Sequence, residues 1–89
     1  MNPTTAILRL APGYRLQWEE AQQADVLLYP EGMVTLNPSA AAILRLCDGS
    51  RDAAAIIATL EVLFPGVDLA ADVREFLEIA HERGWIRLG

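Results

Sequence analysis

Two short apolar runs, Val26-Leu27-Leu28-Tyr29 and Met33-Val34-Thr35-Leu36, are joined by Pro30-Glu31-Gly32, and this junction turns the chain back on itself. Proline presets the φ angle required at the second position of a type I turn, and glycine accepts the left-handed residue that follows. The pattern predicts a β-hairpin. Upstream, Tyr14-Arg15-Leu16-Gln17-Trp18 alternates apolar and polar residues, which is the signature of a half-buried strand. The polar stretch from Glu19 to Ala24 reads as the loop between them. Three antiparallel strands are therefore expected, with Val26–Tyr29 in the centre. Residues 1–13 read as an irregular lead-in that ends at Pro12-Gly13 and lies against the body through Ile7, Leu8 and Leu10.

After residue 37 the periodicity becomes helical. Asn37-Pro38 is a start signal: asparagine caps free amides, and proline costs nothing at the first helical position. Ala40, Ile43, Leu44 and Cys47 recur at spacings of three and four, giving a first helix to about Cys47 that Asp48-Gly49 ends with a glycine cap. Ser50 or Asp52 starts a second helix running to about Phe64, with Ile56, Ile57, Leu60, Leu63 and Phe64 on one side. Pro65-Gly66 breaks it. Asp68 caps a third, ending near Gly84, with Leu69, Val73, Phe76, Leu77 and Ala80 as its stripe. Trp85 to Leu88 forms a short extended tail. The expected fold is α+β and winged-helix-turn-helix-like: a three-stranded antiparallel sheet followed by a three-helix bundle. At 89 residues and 53 % hydrophobic content, the chain suits a single domain over residues 1–89 with one modest core.

The reactive inventory is thin. His81 and Cys47 are the sole histidine and cysteine. At about 100° per residue, His81 falls opposite Phe76 on the third helix, whereas Cys47 falls on the buried stripe of the first, so the two do not meet. No group of His, Cys and carboxylates has metal-ligand spacing, and no glycine-rich loop joins a strand to a helix. The expectation is a protein that is not an enzyme and needs no metal or cofactor. One cysteine permits no internal disulfide. No signal peptide and no apolar run of roughly 18–20 residues is present, which suggests a cytoplasmic protein without a membrane association.

Twelve acids against seven basic residues, all arginine, give a net charge of −5. A winged-helix shape invites the alternative of a DNA-binding regulator, but charge opposes it. The would-be recognition helix carries Asp68, Asp72, Glu75, Glu78 and Glu82 against Arg74 and Arg83. Groove binding depends on neutralising phosphates, so no nucleic-acid partner is expected.

A peptide site is easier to build. The third strand holds no charge or proline, the usual devices that blunt an edge, and such an edge accepts an added strand. The lead-in or tail covering that edge is an equal reading, and a homodimer through it is a third. Beside Phe76 on the third helix, Asp72, Ile79 and Arg83 border the core stripe and offer a second wall.

The assembled pattern resembles the coenzyme PQQ synthesis protein D (PqqD) family. The resemblance rests on Leu27-Leu28-Tyr29-Pro30-Glu31-Gly32, Leu36-Asn37, Ala41, Ile43-Leu44 and Cys47-Asp48-Gly49. Asp72-Val73, Phe76-Leu77 and Gly84-Trp85-Ile86 continue it in order, over about residues 8–88. Arg51-Asp52 departs from the small hydroxyl and aliphatic pair expected there. The resemblance implies a peptide chaperone of pyrroloquinoline quinone biosynthesis, a recognition element for ribosomally made precursor peptides. It implies that the precursor peptide PqqA is bound and presented to the radical SAM enzyme PqqE, with the peptide adding as a strand beside the third helix. Carried onto this sequence, the expected peptide-binding residues are Gly32, Met33, Val34, Thr35 and Leu36, facing Asp72, Phe76, Ile79 and Arg83.

Overall fold

A computed structural model describes residues 6–89. Its elements, in order, are β1 (Leu8–Leu10), β2 (Arg15–Glu19), β3 (Ala24–Tyr29), β4 (Gly32–Leu36), α1 (Pro38–Arg45), β5 (Asp48–Arg51), α2 (Ala53–Leu63), α3 (Ala70–Glu82) and β6 (Ile86–Leu88). The strands form two antiparallel sheets, ordered β2-β3-β4 and β5-β1-β6. The mixed α+β class and the three helices match the sequence expectation. The second sheet does not, because by sequence pattern its strands read as an irregular lead-in, a helix cap and a short extended tail.

The β2-β3-β4 sheet has the expected strand order, with β3 in the centre. Leu16, Leu27 and Val34 stand directly across one another, so they share the face that packs on the core. Leu27 is fully enclosed and contributes about 2 kcal/mol of apolar burial. Helix α1 lies against this face, where Arg45 reaches Asp25 of β3 at 2.6 Å.

The second sheet forms where sequence signals were weakest. Of the lead-in, residues 1–5 lie outside the described residues, but Leu8–Leu10 pairs with β6 as Leu8↔Leu88, Arg9↔Arg87 and Leu10↔Ile86. Fully buried Leu8 drives that pairing by joining the core. Helix α1 stops earlier than Cys47, at Arg45, with Leu46 as its C-cap. Gly49 is not that cap. It sits inside β5 at φ +87°, opposite an irregularity between Leu8 and Arg9, and a Cβ there would lie 3.6 Å from the Arg9 guanidinium.

The caps divide by residue. Asn37 accepts a 2.8 Å hydrogen bond from the Ala40 amide, and Asp52, rather than Ser50, accepts one of 2.9 Å from Ala55. Asp68 does not cap α3, whose N-cap is Leu69 without a side-chain bond. In α2, Ile56, Ile57 and Leu60 are buried as expected, whereas Leu63 and Phe64 are 61 % and 50 % exposed. These two extend past the core instead of entering it. Helix α3 ends in a Schellman motif: Trp85 N–H donates to Ala80 O and Gly84 N–H to His81 O, with Gly84 at φ +80°.

Candidate functional site

Strand β4 lies at an edge of its sheet and pairs with β3 alone. The lead-in and tail are used in the other sheet, so among the described residues neither covers it. The register fixes which backbone groups are free. A hairpin closed by two residues has a hydrogen-bonded closing pair, here Tyr29↔Gly32, and pairs then alternate. Val34 and Leu36 therefore direct their N–H and C=O groups to β3, and Met33 and Thr35 direct theirs outward. Gly32 takes φ +156°, a positive value outside the helical left-handed region foreseen for it.

Side chains on β4 divide the other way. Val34 and Leu36 face the core, while Met33, 48 % exposed, and Thr35 face outward. Met33 stands across from Leu28, and the Thr35 hydroxyl donates to Gln22 Oε1 at 2.8 Å.

Asn37 immediately follows the strand and opens a groove of about 410 Å³ between the start of α1, the end of α2 and the first turns of α3. Its walls are mainly apolar, including Pro38, Ile43, Leu60, Phe64, Val67, Leu69 and Val73. Of the residues foreseen on the third helix, Asp72 and Phe76 line this groove. Ile79, 40 % exposed, does not. Arg83 is also outside it, held with its guanidinium carbon 5.7 Å from the Trp85 ring centroid. Gly32, Met33, Val34, Thr35 and Leu36 form the edge leading to the groove without lining it.

Sequence reasoning missed the contribution of Asn37, Phe64 and Val67. For Phe64 and Val67 a signal was present: these apolar residues flank Pro65-Gly66, where a helix has already broken and burial has no periodic reason. The exposed run continues through Val62, 80 % accessible, so this corner of the molecule is unusually apolar.

The chemistry of the site is one of shape and backbone hydrogen bonding. No group of three or more His, Cys, Asp or Glu side chains placed to hold a metal occurs among the described residues. Burial, with the Asp48 charge adding to it, pushes the Cys47 thiol up to about 12, so it stays protonated and is a poor nucleophile. His81 is exposed, away from the groove. No helix among the described residues is long and apolar enough to cross a membrane.

Comparison with known proteins agrees with this architecture. A family model described as coenzyme PQQ synthesis protein D (PqqD) matches residues 26–86. A protein of Azotobacter vinelandii named PqqA binding protein is 57 % identical, with 99 % of each chain covered. Another of that name from Klebsiella pneumoniae is 59 % identical over 92 % of this chain and 90 % of its own. The solution structure of the PqqD part of Methylobacterium extorquens PqqCD, described as a functional, stand-alone recognition element for ribosomally synthesised and modified peptides, superposes with a TM-score of 0.70. It is 29 % identical and covers 98 % of this chain and 99 % of its own. The matched span takes in most of β3 and all of β4, the three helices and the groove, and on these grounds the chain belongs to the coenzyme PQQ synthesis protein D (PqqD) family.

Proposed function

We propose that this protein is a non-catalytic peptide chaperone of pyrroloquinoline quinone biosynthesis, which binds the precursor peptide PqqA and presents it to the radical SAM enzyme PqqE. The observation that best supports this reading is the open outer edge of β4 running directly into the apolar groove at Asn37. An extended peptide laid along β4 gains main-chain hydrogen bonds from Met33 and Thr35, and its side chains find selectivity in the pockets beyond. The β2-β3-β4 sheet then serves as the wing of a winged-helix-like scaffold, holding that edge beside Asp72 and Phe76. Ile79 and Arg83 flank the course of the peptide farther along α3. Holding peptide and enzyme together raises their effective concentration and fixes the orientation of the peptide, without a reactive group on this chain.

Calorimetric titration with synthetic PqqA tests the binding step. One-to-one saturation is expected, and adding PqqE to the saturated mixture is expected to give a three-component complex on size exclusion. An absence of heat with peptide alone and with enzyme present would remove the reading. The same free edge also suits pairing with a second copy. Sedimentation with and without peptide separates these uses, since a β4-to-β4 homodimer must dissociate as the peptide binds.

A further inference from the structure

The groove has an electrostatic asymmetry that the sequence did not reveal. On the helix surface, Asp72 and Arg83 looked like opposite charges bordering one stripe. The fold separates them: Asp72 lines the groove, and Arg83 is drawn to Trp85 outside it. Asp72 is the one charged side chain in an otherwise apolar and neutral polar lining. It takes part in no ion pair among the described residues, where the pairs are Arg45–Asp25 and Arg51–Asp48. A carboxylate in the first turn of α3 gains from the helix dipole wherever it points around that turn. The dipole therefore gives no reason for the acid to stand on the groove wall.

We propose that Asp72 is a specificity-determining residue: the groove takes an extended peptide segment in which apolar side chains flank one cationic group that pairs with the Asp72 carboxylate. This rests on the peptide-binding reading above. Charge complementarity selects the occupant. The apolar walls favour aliphatic or aromatic side chains, the carboxylate rejects an acidic residue, and the net charge of −5 adds to that rejection. The position of the groove adds a constraint on reach. It starts at Asn37, directly after the last residue of β4, so the cationic group belongs to the part of the peptide lying past the Leu36 end of the added strand.

The test uses the full chain and synthetic PqqA in calorimetry at low and moderate salt. The peptide is also prepared with each Lys and Arg replaced singly by Gln, and once with its amino terminus acetylated. Asp72→Asn is expected to weaken binding about fivefold at low salt and to flatten the salt dependence. One cation-neutralised peptide is expected to lose the same factor on the parent and nothing further on Asp72→Asn. Asp72→Arg is expected to reverse the preference, recovering affinity for a further synthetic peptide in which the pairing cationic residue is replaced by Glu. Thermal melts establish that each variant is folded. If Asp72→Asn binds the parent peptide within about twofold of the unaltered protein at low salt, or no neutralised peptide is weakened, the assignment is wrong even though peptide binding stands. If the unaltered protein gives no heat, the peptide-binding reading itself fails, and the assignment fails with it.

Discussion

The Phe76 and Trp85 rings pack with centroids 6.5 Å apart and planes inclined at 57°, which ties the groove wall of α3 to the turn that ends the same helix. Gly84 makes this possible, since its φ of +80° lets the chain reverse and return Trp85 toward Phe76. A Cβ at Gly84 meets nothing within 4 Å, so alanine there is strained only in its backbone. Gly84→Ala is therefore expected to cost about 1 kcal/mol in urea unfolding. Trp85→Ala is expected to cost about 2 kcal/mol and to weaken peptide binding by freeing Phe76. Trp85→Phe, which keeps a ring against Phe76, should retain most of both. Equal peptide affinity for Trp85→Ala and the parent would show that Phe76 needs no such support.

The alternation along β4 yields a paired prediction. Thr35→Pro removes an outward-facing donor, which an edge strand tolerates, while the bonds from Val34 and Leu36 to β3 remain. Val34→Pro instead removes a bond within the sheet, beside fully buried Leu27. Thr35→Pro is expected to stay folded and lose at least about tenfold in peptide affinity, roughly 1.4 kcal/mol. Thr35→Ala, which also lacks the exposed hydroxyl bond to Gln22, is its control and should bind like the parent. Val34→Pro is expected to lose about 3 kcal/mol of stability. Circular dichroism melts and calorimetry decide both, and a Thr35→Pro variant that binds normally moves the peptide to another surface.

The parts of the fold legible in the sequence share one property: each is determined by neighbours in the chain. The turn at Pro30-Glu31, the Asn37 cap and the 3.6-residue stripe of α3 are local devices. The β5-β1-β6 sheet is not local, because β1 must find β6 almost a whole chain length away and each strand has only three or four residues. Leu8-Arg9-Leu10 and Ile86-Arg87-Leu88 alternate in the same way, but runs so short have no period to separate them from a loop. The Asp48-Gly49 signal misled for a related reason. Glycine at positive φ serves a helix cap and a strand irregularity equally well, and only the partner strand decides between them. In the site, helical projection sets Asp72, Ile79 and Arg83 beside Phe76 on one border of the helix; in the fold Asp72 and Phe76 line the groove, while Ile79 and Arg83 lie outside it. It could not see that Trp85, beyond the helix, draws Arg83 aside.

Asn37 links stability and site geometry, because it caps α1 and forms the mouth of the groove. Asn37→Ala leaves the Ala40 amide without its side-chain acceptor and is expected to cost about 1 kcal/mol. Asn37→Asp keeps the acceptor and adds a charge that suits the helix start, so it should be at least as stable as the parent. Chemical denaturation of both variants checks this ordering; alanine and aspartate variants of equal stability would mean that the cap contributes nothing.

The enclosed Cys47 thiol makes the fold sensitive to alkali. Only 3 % exposed, with its sulfur 3.5 Å from the Ile43 carbonyl, Cys47 has a pKa pushed from 9.0 up to about 12. A pKa raised in the folded state means that the unfolded chain gives up this proton first. The contribution of the group is fully present below about pH 9 and is lost progressively as pH rises toward about 12. Between these limits the slope approaches about 1.4 kcal/mol per pH unit, or about 2 kcal/mol lost by pH 10.5. Cys47→Ala removes the titrating group while every other ionisable side chain is unchanged, so subtracting the two pH profiles isolates the thiol. The variant is expected to start about 1 kcal/mol less stable at pH 7.5, from lost packing, and to overtake the parent near pH 10. Urea unfolding at intervals from pH 7.5 to 10.5 measures the crossing. Parallel profiles would mean that the folded protein ionises its thiol as readily as the unfolded chain, which is incompatible with the enclosure of Cys47 beneath α1.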